Sequence, residues 1–274
     1  MDGPVRTFHH RQGDPQALTA AKAGRSVSVC VPARDEEATV GGVVAVVAGL
    51  TTAGGGPALV DEIVVVDDGS TDRTADRAAA AGARVVPGPA EGGKGAAMRR
   101  ALECTSGDLV VFLDADVEDI GPHFVTGLLV PLLLADDVAL VKGCYERPLH
   151  GRPGEGGRVT ELVARPLLEL FFPALAGVRQ PLAGETAAPR AVLDKLTLAD
   201  GYAVEMALLL DVAAGFGPGA VAQVDLGSRT HRNRPLAELR PQAAEVLRVV
   251  LARSSLSAAT QVRPDTQVRP DGSP

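Results

Sequence analysis

The chain has 274 residues, of which 46% are hydrophobic and 3% aromatic, and its formal net charge is −7. This length allows one large α/β domain, or one domain with a smaller appendage. Tryptophan is absent, which excludes a carbohydrate-binding platform built from Trp rings. The negative charge, without a Lys/Arg cluster interleaved with aromatic residues, argues against nucleic-acid binding.

Cysteine usage and hydropathy indicate a cytoplasmic protein. Cys30, Cys104 and Cys144 show no metal-type spacing and leave one cysteine over, which favours free thiols in a reducing compartment. No apolar run is long enough to span a bilayer, and the run at 128–135 is interrupted by Pro131. The N-terminus lacks the apolar core of a signal peptide. We therefore expect no membrane association.

Apolar runs alternate with helical segments along most of the chain. Residues 1–24 have no apolar period and are predicted to form a flexible arm. Strands are predicted at 26–31, 62–67, 83–86 and 108–113, and helices at 38–50, 73–82, 94–104, 159–170, 202–213 and 240–253. This alternation predicts an α/β fold with right-handed crossovers and a mostly parallel sheet flanked by helices.

Two acids, Asp114 and Asp116, follow the fourth predicted strand directly. The carboxyl ends of parallel strands meet at one edge of a sheet, where open α/β folds bind their ligands. Two carboxylates there can hold Mg²⁺ or Mn²⁺, which also accepts phosphate oxygens. The alternative is that one of them only caps the next helix. Polar residues at 34–36 and 67–70 end the first two strands and should lie at the same edge.

A glycine-rich loop at 92–95 precedes the helix that begins at Lys94. The loop lacks the Gly-Lys-Ser/Thr ending of a P-loop, yet a lysine at a helix N-terminus suits a phosphate. No Gly-x-Gly-x-x-Gly follows the first strand, so the dinucleotide fingerprint is absent. A basic run at 229–234 is a further candidate for binding a small anion.

Several spaced motifs carry a family resemblance. Three motifs together resemble those of the GT-A glycosyltransferases that use nucleotide-diphosphate sugars. They are Val-Pro-Ala-Arg-Asp-Glu-Glu at 31–37, Val-Val-Val-Asp-Asp-Gly-Ser-Thr-Asp at 64–72 and Asp-Ala-Asp at 114–116. Segments 157–162, 180–185, 201–205 and 231–235 resemble the actinobacterial glucosyl-3-phosphoglycerate synthases. The resemblance extends over roughly residues 26 to 252.

The resemblance implies a GT-A fold in two functional halves. Residues 25–145 would form the nucleotide-sugar-binding half, and 146–253 the acceptor-binding half with a C-terminal helix. Residues 254–274 contain the sequence Thr-Gln-Val-Arg-Pro-Asp twice, and such polar, proline-containing repeats predict a disordered tail.

The resemblance also implies a donor site. A uracil pocket would be lined by Pro32, Ala33 and Ser70, with Asp68 nearby. Glu36 would accept hydrogen bonds from the ribose hydroxyls. The rest of the nucleotide sugar would be bound by Lys94, Asp114, Ala115, Leu182 and Glu205. The catalytic residues would be Asp116, Lys94, Glu205 and Leu182. Asp116 and His231 would ligate Mg²⁺ or Mn²⁺. The alternatives are helix capping for Glu36 and a surface position for His231.

An acceptor site is implied downstream. Its residues would be Gly157, Arg158, Val159, Thr160, Asn233 and Arg234, whose guanidinium, hydroxyl and amide groups suit a phosphate or carboxylate. The alternative is a set of solvated polar residues at a Gly-rich turn. Glu205 lies in an apolar helix and needs a partner there, either a sugar hydroxyl or a buried arginine.

The expected activity is that of a metal-dependent, retaining glucosyltransferase in a cytoplasmic homodimer. It would transfer glucose from UDP-glucose, with GDP-glucose as the alternative donor, to the 2-hydroxyl of D-3-phosphoglycerate. Thr186 stands where the family has tyrosine, which keeps another phosphorylated or carboxylated acceptor open. A nucleotide-sugar binding protein without turnover is a further alternative. A nucleotidyltransferase would need a Gly-rich, Arg/Lys-bearing signature after the first strand, which residues 32–36 do not provide.

Overall fold

Eight strands form one mixed sheet in the part of the chain that the structure, a computed structural model, describes: residues 3–146, 157–229 and 236–254. They are β1 (Arg6–His9), β2 (Val27–Ala33), β3 (Glu62–Asp67), β4 (Arg84–Pro87), β5 (Leu109–Phe112), β6 (Leu140–Glu146), β7 (Thr186–Pro189) and β8 (Val221–Ser228). Their order is β1-β8-β6-β7-β5-β2-β3-β4, and only β7 runs antiparallel to its neighbours. The predicted mostly parallel α/β sheet is confirmed.

Helices cover both faces of this sheet. They are α1 (Pro15–Ala21), α2 (Val40–Ala48), α3 (Thr74–Ala80), α4 (Lys94–Cys104), α5 (His123–Leu134), α6 (Arg165–Phe171), α7 (Arg190–Leu193), α8 (Val204–Phe216) and α9 (Leu236–Arg253). A π-helical turn, Thr160–Ala164, leads directly into α6. None of the helices in the described ranges is long and apolar enough to cross a membrane.

The central strands β3 and β5 are continuous apolar runs because both faces of the sheet are buried there. Side chains alternate between the two faces, so Val29 and Val31 of β2 join one core while Cys30 joins the other. The first core lies under α1, α2, α3 and α5, and the second under α4, α6, α8 and α9. The predicted bounds of β3 and α4 coincide with those of the structure.

Pro32 is tolerated in β2 because this strand extends beyond the end of its pairing with one neighbouring strand. β2 pairs with β5 only as far as Cys30, opposite Phe112, and continues beside β3 to Ala33, opposite Asp67. At Pro32 one neighbour has already ended, so a missing backbone N–H is tolerated there. This unpaired stretch of β2 forms part of the edge at which the candidate site lies.

The N-terminal segment differs from the predicted flexible arm at 1–24. β1 adds a parallel strand beside β8, and α1 buries Leu18, which is 2% exposed. The prediction was wrong for this segment because a four-residue strand is too short to display a period of two. A usable helix signal was also present, since Asp14 accepts a hydrogen bond from the Ala17 amide and Pro15 occupies the first helical position.

The two predicted halves share one sheet. β7, which follows residue 146, lies between β5 and β6, which precede it, and β8 extends the sheet beyond β6. The boundary at 145 falls within β6, so the two predicted halves do not form separate sheets. All but the first residue of the predicted disordered tail, 255–274, lies outside the described residues.

The three cysteines are unpaired, as predicted. Burial raises the pKa of Cys30 to about 12 and that of Cys144 to about 11, so both remain thiols at neutral pH. A reactive thiolate is therefore not part of the chemistry at either position.

We predict that Leu18→Ala lowers the free energy of unfolding by about 2–5 kcal/mol, because it opens a cavity in the core beneath the N-terminal segment. Urea unfolding measures the change. Leu134→Ala is the matched control, since Leu134 is 58% exposed, and should change stability by less than about 0.5 kcal/mol. Equal effects of the two substitutions would contradict a packed N-terminal segment.

Candidate active site

A cavity of about 350 Å³ opens at the edge where β2, β3 and β5 end. This is the position at which open α/β sheets bind ligands, and the volume lies in the range of small-molecule sites. The predicted site residues that line it are Pro32, Ala33, Glu36, Asp68, Lys94, Asp114, Ala115, Asp116, Gly157, Arg158, Val159, Thr160, Leu182 and Glu205. The fold thus brings both predicted halves of the site to one cavity.

Ser70 does not line this cavity. Its hydroxyl accepts a hydrogen bond from the Asp35 amide at 3.0 Å, which joins the loop after β3 to the loop after β2. Its predicted place in a uracil pocket stays a prediction. His231, Asn233 and Arg234 lie outside the described residues, so their predicted roles stay predictions.

Lys94 joins the acid after β5 to an acid on α8. Its ammonium donates to Asp114 Oδ1 at 2.6 Å and pairs with Glu205. Burial acts to lower the pKa of Lys94, but the charges of Asp114 and Glu205 outweigh burial and raise it above its usual value. Lys94 therefore stays protonated. The predicted partners of Glu205 were a sugar hydroxyl or an arginine, and its partner in the structure is this lysine.

Arg229, directly after β8, is 2% exposed and lies behind both aspartates. Its guanidinium donates to Asp114 Oδ2 at 3.0 Å and to Asp116 Oδ1 at 2.6 Å. It also pairs with Glu185 Oε1 at 2.8 Å and donates to the Tyr145 hydroxyl at 2.8 Å. The basic run that includes Arg229 suggested an anionic small molecule, whereas the partners found for Arg229 are three carboxylates and one hydroxyl of the chain itself.

These partners keep the central acid ionised. Burial acts to raise the pKa of Asp114, but the charges of Lys94 and Arg229 hold it well below its usual range. The guanidinium of Arg229 is held charged in the same way, because Glu185, Tyr145, Asp114 and Asp116 outweigh the effect of its burial. The floor of the cavity is consequently a set of fixed charges.

The loop at 180–185 packs directly on this floor. A Cβ atom on Gly184 would lie 1.9 Å from Asp114 Oδ1, so only glycine allows the approach. Leu182 of the same loop lines the cavity, and Glu185 forms an ion pair with Arg229. The segments that contain Arg229 and Glu185 were singled out in the sequence, but the pairing of these two residues with each other and with the aspartates was not predicted. A signal for Arg229 was available in the sequence. This residue directly follows a strand, as Asp114 and Asp116 do after β5, and should therefore lie at the same edge of the sheet.

Asp116 is the described residue best placed to hold a divalent cation. Its side chain is 31% exposed at the cavity, and Arg229 engages only Oδ1. Among the described ranges no group of three or more His, Cys, Asp or Glu side chains is arranged around one metal position. A partly exposed carboxylate is a suitable ligand for Mg²⁺ or Mn²⁺, which also accept phosphate oxygens.

Asp68, directly after β3, offers a hydrogen-bond acceptor to a nitrogen donor of a ligand in the cavity. Its Oδ2 accepts a hydrogen bond from the Gly93 amide at 2.8 Å. Its Oδ1 is buried and has no hydrogen-bond partner in the described part of the chain. Because a buried acceptor without a partner costs free energy, this atom suits a ligand N–H.

The far wall begins at Gly157, whose φ of 75° is readily adopted only by glycine. Arg158 follows, and Thr160 starts the π-helical turn, a feature that is frequent at functional sites. Further lining residues are Tyr202, within the motif at 201–205, and Leu239, Gln242 and Val246 on α9. The predicted packing helix therefore also closes the cavity.

Comparison with known proteins identifies relatives over most of the chain. The model of the family described as glycosyl transferase family 2 matches residues 28–146. The glucosyl-3-phosphoglycerate synthase of Mycolicibacterium smegmatis is 49% identical over 251 residues, which cover 88% of this chain and 81% of the relative. The enzyme of the same name from Petrotoga mobilis is 41% identical over 262 residues, with 90% and 80% covered.

Solved structures agree with these relatives. The Mycobacterium tuberculosis glucosyl-3-phosphoglycerate synthase in complex with Mn²⁺, uridine-diphosphate-glucose and phosphoglyceric acid has a TM-score of 0.82 and 46% identity, covering 91% of this chain and 87% of that one. The same enzyme with Mg²⁺ and uridine diphosphate has a TM-score of 0.84 and 46% identity, with 91% and 86% covered. On its fold, its cavity and these identities, the chain belongs to the glucosyl-3-phosphoglycerate synthase family.

Proposed function

We propose that the chain is a metal-dependent glucosyltransferase that transfers glucose from UDP-glucose to the 2-hydroxyl of D-3-phosphoglycerate. The observation that carries the proposal is a single cavity in which Asp114 and Asp116 lie between a wall suited to a uridine and a wall suited to an anion. The Mycobacterium tuberculosis relative binds UDP-glucose, Mn²⁺ and phosphoglyceric acid together.

On the donor side, Asp68 Oδ1 accepts the N3–H of the uracil ring, which supplies a partner for an oxygen that has none among the described residues. Pro32 and Ala33 line the base, and Glu36 accepts hydrogen bonds from the ribose hydroxyls. Mg²⁺ or Mn²⁺, held by Asp116 and His231, supplies positive charge that stabilises the departing diphosphate.

Lys94 and Glu205 hold the sugar end of the donor. Lys94 keeps its charge and adds electrostatic stabilisation of the leaving group, while Glu205 accepts hydrogen bonds from glucose hydroxyls. Neither Lys94 nor Asp114 is suited to remove the acceptor proton, because Lys94 is already protonated and the pKa of Asp114 is held well below its usual range.

The transfer step follows from these charges. The bond between the anomeric carbon and the diphosphate oxygen breaks, and a bond forms between that carbon and the 2-oxygen of the acceptor. The hydroxyl proton passes to the leaving diphosphate, so the products are UDP and the glucosylated acceptor. Attack on the face from which the diphosphate leaves retains the anomeric configuration. The backbone carbonyl of Leu182 orients the attacking hydroxyl.

The phosphate and carboxylate of the acceptor are bound by Arg158, Thr160, Asn233 and Arg234. Gly157 and Val159 shape the turn that carries Arg158 and Thr160. The departure at Thr186 does not alter this wall. Thr186 is 1% exposed and does not line the cavity. The substitution therefore favours no second acceptor class.

Incubation with UDP-glucose, Mn²⁺ or Mg²⁺ and a panel of acceptors, followed by mass detection, tests the function. We expect a glucosylated product from 3-phosphoglycerate, and little from glycerate or glycerol 3-phosphate, because each of these lacks one of the two anionic groups. A protein that glucosylates another acceptor but not 3-phosphoglycerate would contradict the acceptor assignment. Consumption of no nucleotide sugar would contradict the enzymatic proposal as a whole.

Asp116→Ala should lower kcat by at least about 10²–10³-fold, because the charge that stabilises the diphosphate is no longer held in place. Mn²⁺ binding, measured by electron paramagnetic resonance with UDP present, should weaken in parallel. Glu118→Ala, which removes an exposed acid two residues away, is the control and should match the wild type. Wild-type turnover by Asp116→Ala would overturn the proposed metal site.

We further propose that the enzyme is a cytoplasmic homodimer. Leu247 and Leu251 lie one turn apart on α9 and are 39% and 44% exposed, which supports an apolar contact surface there. Light scattering coupled to size exclusion should give twice the mass of the chain. Replacement of both leucines by glutamate should give the mass of one chain, and a monomeric wild-type protein would contradict the proposal.

A further inference from the structure

Lys142 of β6 is a fully buried lysine directly behind the cavity. Its ammonium donates to the Ala183 carbonyl at 2.5 Å and to the Thr186 hydroxyl at 3.0 Å. Lys142 does not line the cavity. A buried lysine is costly unless its charge is paired or hydrogen-bonded, so its presence here calls for a specific benefit.

The carbonyl that Lys142 binds belongs to the loop that forms the inner wall of the site. Leu182 precedes it and lines the cavity. Gly184 follows it and packs against Asp114. Glu185 then holds Arg229. A rotation of the peptide at Ala183 would therefore displace both the acceptor-side carbonyl and the contact with the acid.

We propose that Lys142 is a positioning residue for glucosyl transfer, which holds the Ala183 peptide so that the Leu182 carbonyl faces the acceptor hydroxyl and Gly184 stays against Asp114. The inference rests on the proposed function, since it assigns the purpose of the loop in that reaction. Lys142 touches neither substrate and acts only through the backbone it binds.

Thr186 completes this arrangement. Its hydroxyl accepts from Lys142 and donates to the same Ala183 carbonyl at 3.3 Å, which closes a triangle of hydrogen bonds. The residue that departs from the expected tyrosine is thus the second partner of the lysine. Serine retains this hydroxyl, whereas valine preserves the shape of threonine and removes it.

The charges around Lys142 give the arrangement a pH dependence. Burial is the main cause that lowers the pKa of Lys142, and Lys94 on α4 acts in the same direction. Glu205 on α8, Glu185 before β7 and Asp114 after β5 act to raise it, and the net pKa is about 8. The ammonium form is present below about pH 8. As the pH rises through that value, both hydrogen bonds lose their charge assistance and weaken.

The inference is tested by steady-state kinetics of three variants, Lys142→Met, Thr186→Val and Thr186→Ser. The measurements run from pH 6 to about 9.5, so that the range extends above the lowered pKa of Lys142. Lys142→Met should lower kcat about 10- to 100-fold, the cost of a small displacement of reacting groups. Its KM for UDP-glucose should stay within about twofold, because the base and ribose contacts are untouched. Wild-type kcat should fall above about pH 8 and that of Lys142→Met should not. Thr186→Val should lose part of the activity and Thr186→Ser should retain it.

Lys22→Met is the matched control. Lys22 is also buried and donates to two backbone carbonyls, those of Ala58 and Leu59, but it lies at the opposite edge of the sheet. Its loss should lower stability and leave kcat and the pH profile unchanged. If Lys22→Met reproduced the kinetic change, the effect would be one of general stability and the inference would be overturned.

The outcomes separate this inference from the proposed function. Wild-type transfer to 3-phosphoglycerate with unchanged kcat and pH profile in both Lys142→Met and Thr186→Val overturns the role of Lys142 alone. A wild-type protein that makes no glucosylated phosphoglycerate overturns both. If Lys142→Met does not fold, Thr186→Val and Thr186→Ser decide, and equal activity of these two variants contradicts the inference.

Discussion

The buried ion-pair network centred on Asp114 is the constraint on which the rest of the structure depends. It unites the end of β5 with Lys94 at the start of α4, Arg229 after β8 and, through them, Glu205 on α8 and Glu185 before β7. Charges with so little access to water are stable only when each has its partners in place. The network therefore fixes the relative positions of the elements that contribute to it.

The mixed sheet makes this network possible. The antiparallel β7 lies beside β5 and begins at the edge where β5 ends, which brings Gly184 and Glu185 against the acids. Because the charges are already paired with one another, little reorganisation is needed when a diphosphate arrives. Electrostatic stabilisation by groups fixed beforehand is a major source of rate enhancement in enzymes.

The sequence predicted the strand–helix alternation and most of the lining residues, because β-branched runs and short polar motifs are local signals. It did not predict β1, whose four residues are too few to show a pattern, nor the partner of Glu205. The buried partners of Arg229 and of Lys142 were missed for a different reason. A single charge in or beside an apolar strand acquires meaning only from partners distant in the chain, and Arg229 lies 115 residues from Asp114.

A crystal structure with UDP, Mn²⁺ and 3-phosphoglycerate would test most directly whether the network is assembled before the substrates bind. We expect Lys94 to remain hydrogen-bonded to Asp114 and Arg229 to remain paired with Glu185, with Asp116 bound to the metal through the oxygen that Arg229 leaves exposed. A complex in which these pairs have separated, or in which Asp116 does not contact the metal, would contradict the account.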